Sequence, residues 1–263
     1  MSGYAGMSAG MGADTPMSTS ASPEALPPGC QGESTAWPWP QPLAGVQCAR
    51  LHFAVDALSA ADLSAWQVAL PERLASAATK RRAEYLAGRL CARQALGALT
   101  GTLTTPQTDS ERLPLWPAGC VGSITHSQGL AASVVAKRSR LAGIGLDAEG
   151  ELDPARALRL APQILVESER EWLASLPPAQ QAAFVTQVFS LKESLFKALY
   201  PLVRQRFYFP HARLVAWQPA AGAVTLELGK TLSPQWPAGR RLSGQVASVD
   251  GYHLTLVTIP RQS

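Results

Sequence analysis

Helical and strand periodicities in this 263-residue chain arrive in blocks, and that ordering restricts its fold more than any other feature. The run VQCARLHF from Val46 reads as a strand, and a helical zone follows it. Ser59 with Asp62 gives an N-cap signal for a short helix. KRRAEYLAGRLCARQALGAL then repeats Leu86, Leu90, Leu96 and Leu99 at helical spacing until Gly101 and a Thr-rich stretch break it. Next, VGSIT and LAASVVAK flank HSQG, which reads as a β-hairpin with His126 at its turn, and LAGIGLDAE forms a further strand. Asp153-Pro154 opens a helix, and Ser168 with Glu171 has the capping-box spacing for another. A long helix is expected from about Pro178 to Tyr200, where Pro201 should stop it. Three strands close the chain: AVTLELG, LSGQVASV and YHLTLVTI. Helices collected beside antiparallel strands define an α+β fold and not a doubly wound sheet. The two halves have similar content, so two lobes are expected, residues 45–142 and 143–263, joined near 140–150.

Residues 1–44 are rich in Ser, Gly, Pro, Ala and Met without a hydrophobic period, and are expected to form a disordered leader. Elsewhere the chain has ample core material, since 46% of all residues are hydrophobic. A net charge of +4 admits an anionic small ligand or an acidic protein partner. No basic run marks a nucleic-acid groove. Cys30, Cys48, Cys91 and Cys120 form no C-x-x-C pair and no zinc spacing, which fits reduced thiols. No apolar run reaches the roughly 20 residues of a membrane helix. The first basic residue is Arg50, so a targeting start is lacking and a cytoplasmic address is expected by elimination.

Three stretches carry residues suited to chemistry. In GIGLDAEG, Asp147 and Glu149 project from one strand face while Ile144, Leu146 and Ala148 take the other. Two adjacent carboxylates repel unless a proton or a hard cation such as magnesium intervenes, although a hydrated strand end would look the same. In VFSLKESLFKALYP, Glu193 and Lys197 have the spacing of an exposed helical ion pair. Yet Val185, Phe189, Glu193, Phe196 and Tyr200 share one stripe, and a carboxylate on an apolar stripe needs a partner, a proton or a metal. In VGSITHS, His126 sits among Ser123, Thr125 and Ser127, which suits either a solvated turn or a phosphate cradle. The helix from 80 to 98 adds Arg82, Arg89 and Arg93 on one stripe, with Arg81 about 80° away from Arg89 by helical geometry. Such a stripe is a solvated basic face or a set of phosphate forks.

Taken in order, G-S-I-T-H, G-I-G-L-D-A-E and F-S-L-K-E-S-L-F-K resemble the three signature blocks of the 4'-phosphopantetheinyl transferases, in their large two-lobed surfactin/enterobactin type. RRAEYLAGR and LPLWPAG resemble the enterobactin-like branch in particular, and the resemblance spans about residues 46–200. It implies that each lobe is a small antiparallel sheet packed with helices, with the active site between the lobes. It further implies transfer of the phosphopantetheine arm from coenzyme A to a serine of an apo acyl- or peptidyl-carrier protein. Asp147, Glu149 and Glu193 match the family's Mg2+ carboxylates, and Glu193 also matches its general base. Lys197 matches the lysine that steadies the transferring phosphate; Thr125 and His126 match coenzyme A contacts, and Arg81 and Arg89 arginines at its phosphates. For Arg81 the resemblance overrides the helical stripe, which favours Arg82. Leu113 departs from the lysine common before the Pro-Leu-Trp-Pro stretch, leaving Arg112 as the nearest basic residue. Two lobes in one chain make a monomer sufficient. A degenerate coenzyme A- or carrier-binding module and a metal-dependent phosphohydrolase are the competing readings. The blocks do not distinguish fatty-acid, polyketide, nonribosomal-peptide and siderophore carriers.

Overall fold

The computed structural model describes residues 26–27, 29–57, 62, 66 and 68–261. Two antiparallel sheets, each backed by one long helix, organise them. The first sheet has the order β1-β2-β6-β5, built from β1 (Cys30–Ser34), β2 (Val46–Phe53), β5 (Cys120–Ser127) and β6 (Leu130–Lys137). Helix α1 (Thr79–Thr100) lies on β2, β5 and β6. The second sheet has the order β7-β11-β10-β9-β8: β7 (Leu141–Gly150), β8 (Ala212–Gln218), β9 (Ala223–Leu228), β10 (Arg241–Val249) and β11 (Tyr252–Pro260). Helices α2 (Pro154–Ile164), α3 (Glu167–Ser175) and α4 (Pro178–Val203) accompany it, and α4 lies on β7 and β11. A small hairpin, β3 (Gln107–Thr108) with β4 (Pro114–Leu115), follows α1. The fold is thus α+β with two sheet-and-helix halves.

Three apolar cores follow from this layering. Leu86, Leu90 and Leu96 of α1 bury against Leu51 and Val135. Phe184, Val188, Leu191, Leu195 and Leu199 of α4 form the second core with Leu214, Leu226 and Val257. A third core joins the sheets: Cys48, Val134 and Leu130 meet Ile144, Leu146, Ala148, Leu254 and Leu256. Burying each such aliphatic side chain contributes about 1.5–3 kcal/mol, so this third core binds the halves into one unit.

Several local expectations need correction. The loose leader ends earlier than expected, because Cys30–Ser34 pairs with β2 and Trp39 is buried in the third core. Trp39 Nε1 donates to the Leu254 carbonyl at 3.1 Å, and an apolar indole with a satisfied N–H needs no periodicity to be ordered. The hairpin turn is Gln128-Gly129, tighter than expected, so His126 belongs to β5. Gln128 and Gly129 both take positive φ, as a two-residue turn requires. The cap of α3 sits two residues earlier than Ser168: Glu169 accepts from the Val166 N–H at 2.9 Å. Helix α4 runs through Pro201 to Val203 and ends at Arg204, whose left-handed backbone lets its N–H reach the Tyr200 carbonyl at 2.9 Å. Strand β8 was not anticipated. The short helix expected at Ser59 lies outside the described residues.

Candidate active site

Strand β7 carries the acids, and glycine sets how close α4 comes to it. A Cβ on Gly145 would lie 1.8 Å from the Ser194 carbonyl oxygen, and one on Gly143 would lie 2.6 Å from that of Ala198. These glycines admit the helix backbone, and so bring Glu193 and Lys197 of α4 over Asp147 and Glu149.

Asp147 is buried and heavily bonded. Its Oδ1 accepts from Lys197 Nζ at 2.6 Å and from Thr125 Oγ1 at 3.1 Å, while Oδ2 accepts from Ser190 Oγ at 2.8 Å. Lys197 also donates to the Leu146 carbonyl at 3.0 Å. The lysine therefore pairs with the strand acid and not with Glu193, which excludes a simple surface ion pair. Glu149 accepts from Ser127 Oγ at 3.2 Å. Burial, then the Asp147 charge, pushes its carboxyl up to about 7. Burial also raises Glu193, with Asp147 adding to the effect and Lys197 opposing it.

Strand β5 meets β7 through side-chain hydroxyls. Ser123 Oγ accepts from the Leu146 N–H at 3.0 Å, Thr125 Oγ1 accepts from the Ala148 N–H at 3.2 Å, and Ser127 holds Glu149. Alternate residues of β5 thus fasten successive residues of the acidic strand. Thr125, expected at coenzyme A, has its hydroxyl committed to Asp147 and β7.

A cavity of about 490 Å³ opens beside this seam, lined among others by Arg81, Arg89, His126, Arg138, Lys197 and Trp116. Arg81 lines it, whereas Arg82 turns to the Ala75 carbonyl, so the site uses the residue off the helical stripe. Arg89 is buried over the Tyr85 ring at 4.5 Å and donates to Thr108 Oγ1 at 2.7 Å, and burial lowers its proton affinity. Its Nε has no hydrogen-bond partner among the described residues. Burial likewise lowers His126, against the pull of Glu84, whose Oε2 lies 3.7 Å from Nδ1. Glu193 lines a smaller cavity of about 250 Å³ with Arg206, Phe207 and Phe209, and Phe196 borders both. The segment 193–197 therefore stands between two openings.

Among the described residues no three Asp, Glu, His or Cys side chains are gathered as a metal cage. Lys197 already occupies Oδ1 of Asp147. The donor set still suits a hard dication: all three acids offer oxygen, and burial together with the Asp147 charge raises Glu149 and Glu193 despite the nearby Lys197.

Comparison with known proteins identifies the family. Residues 70–136 match the 4'-phosphopantetheinyl transferase N-terminal domain, and residues 143–257 match the 4'-phosphopantetheinyl transferase superfamily. The chain belongs to that superfamily. It is 38% identical over 193 residues to 4'-phosphopantetheinyl transferase Svp of Streptomyces mobaraensis, covering 71% of this chain and 75% of that one. It is 40% identical over 163 residues to enterobactin synthase component D of Salmonella typhimurium, covering 61% and 65%. With 4'-phosphopantetheinyl transferase PptT of Mycobacterium tuberculosis the identity is 34% over 203 residues, covering 72% and 86%.

Proposed function

We propose that this enzyme transfers the 4'-phosphopantetheine group of coenzyme A to a serine of an apo acyl- or peptidyl-carrier protein, releasing adenosine 3',5'-bisphosphate. The observation that carries the reading is the acid-lysine cluster of Asp147, Glu149, Glu193 and Lys197 beside an arginine-lined cavity large enough for a nucleotide. Arg81 and Arg89, whose Nε has no partner among the described residues, would bind coenzyme A phosphates, with His126 on the same wall.

In the reaction the serine oxygen bonds to the phosphorus bearing pantetheine. The bond from that phosphorus to the bridging oxygen breaks, and adenosine bisphosphate leaves with the electron pair. Glu193 takes the serine proton, its carboxylate lining the smaller cavity from which the serine would come. Lys197 steadies charge on the phosphoryl oxygens. Asp147, Glu149 and Glu193 would hold Mg2+, which when bound neutralises pyrophosphate charge. The acceptor serine would approach from the smaller cavity, where Glu193 is exposed to it.

Carrier protein and coenzyme A are the partners of this reading, in the cytoplasm, with one chain sufficing. No helix among the described residues is long and apolar enough to cross a membrane. Intact-mass analysis of several apo-carriers after incubation with coenzyme A and Mg2+ tests it. A mass gain of one phosphopantetheine is expected. Coenzyme A cleavage without carrier would favour a hydrolase, and no reaction with any carrier would favour a binding module.

A further inference from the structure

Ser190, Ser194 and Thr255 are three hydroxyl side chains wholly buried between α4 and the second sheet. Hydroxyls in an apolar layer are costly unless bonded, and these bonds form a chain. Ser190 Oγ lies 2.8 Å from Asp147 Oδ2 and 2.8 Å from Thr255 Oγ1. Thr255 Oγ1 lies 2.8 Å from Ser194 Oγ, which is also 2.9 Å from the Thr255 carbonyl oxygen. A carboxylate only accepts, so the Ser190 proton goes to Asp147. Ser190 then accepts from Thr255, so two donors point toward the acid, while the Ser194 proton goes to the Thr255 carbonyl and holds that residue in place.

The lone pairs of Asp147 make this direction consequential. Each carboxylate oxygen has two acceptor sites. Lys197 and Thr125 fill both on Oδ1, whereas Ser190 fills one on Oδ2. Among the described hydrogen bonds one site remains on Oδ2, and the Ser190 bond sets its orientation.

We infer that Ser190, backed by Thr255, is a positioning residue that aims the open oxygen of Asp147 at a divalent cation. This rests on the reading of Asp147 as a metal carboxylate. It assigns α4 a second duty: besides presenting Glu193 and Lys197, it fixes the strand acid from behind.

Mn2+ binding followed by electron paramagnetic resonance tests the inference, using the full chain with coenzyme A present and no acceptor. Ser190→Ala should weaken Mn2+ binding by about tenfold or more, and Thr255→Val should weaken it less, in the same direction. Ser133→Ala is the control, an equally buried hydroxyl that donates to the Ser123 carbonyl at 3.0 Å. It should bind Mn2+ as the unaltered chain does. Unchanged Mn2+ affinity in folded Ser190→Ala would overturn the inference, as would an equal loss in Ser133→Ala. Should Ser190→Ala not fold, unchanged affinity in Thr255→Val overturns it instead. If Asp147→Asn binds Mn2+ as tightly as the unaltered chain, the metal assignment itself falls and takes this inference with it. Tight binding by the unaltered chain, lost in Asp147→Asn but kept in Ser190→Ala, removes the positioning role alone.

Discussion

Glu193 bears the conflicting demands of the site most directly, since no donor among the described hydrogen bonds supports its carboxylate while burial and Asp147 raise its proton affinity. Glu193→Gln should therefore abolish carrier modification, yet leave the metal-free protein as stable or more stable, because a strained charge has gone. Mass analysis alongside thermal melts checks both; full activity would remove Glu193 as the base. Glu149 makes a pH signature. Its folded-state value of about 7 exceeds the ordinary 4.5, so the folded state holds the proton more tightly than the unfolded chain does. Stability from this group is therefore fully present at low pH and is lost as pH rises from about 4.5 to about 7. Glu149→Gln should flatten that slope, gaining on the unaltered chain in metal-free melts near pH 8 but not at about pH 3.5, a contrast read at about one unit either side of the transition. A variant that keeps the slope would locate it elsewhere. At this scale the acids were legible: alternation put Asp147 and Glu149 on one face, and Glu193 interrupted an apolar stripe. Their partners were not. Lys197 to Asp147, Ser190 to Asp147 and Ser127 to Glu149 join residues that only the tertiary fold brings together.

Elements obeyed their periodicities and departed from them where tertiary contacts took over. Strand β2 and helix α1 follow the expected runs closely because apolar spacing dictates which face is buried. Helix α4 outlasts Pro201 because a proline three residues from the end costs little more than one backbone bond, and Arg204 closes the helix afterwards. Strand β8 escaped notice since its register shifts between Leu214 and Ala216, which breaks the alternation, while its exposed Arg213 pairs with Glu227 on β9 at 2.6 Å. The glycines of β7 were also illegible in purpose: nothing local says that a helix backbone will rest on Gly145. Their role predicts a strong effect. Gly145→Ala must push β7 and α4 apart, since the added carbon meets backbone and no flexible side chain. Destabilisation of about 1–3 kcal/mol and a larger loss of transfer are expected, because the helix that presents Glu193 and Lys197 moves with it. Denaturant titration with activity assays would show this, and an unperturbed enzyme would mean the contact relaxes freely.

The molecule as a whole is stitched across its halves by the segment before β2. Besides the Trp39 indole bond, Gln41 and Gln245 exchange two hydrogen bonds, each 3.0 Å long. Trp39→Ala should cost about 3–5 kcal/mol, a value set by cavity formation at a site 3% exposed. The active-site residues lie apart from this strap, so transfer at low temperature should persist while the melting temperature falls. Loss of less than half that stability would make the strap ornamental. The hydroxyl seam has a different consequence, concerning association between molecules. β5 ends the first sheet and β7 ends the second, so both are edge strands, and bare edges invite pairing with another chain. Ser123 and Thr125 bond the Leu146 and Ala148 N–H groups without a main-chain ladder, so each edge shields the other. Replacing Ser123 by alanine and Thr125 by valine together should leave these borders poorly closed, and light scattering should then detect concentration-dependent aggregation. The residues that organise the chemistry would also be those that cover these two edges.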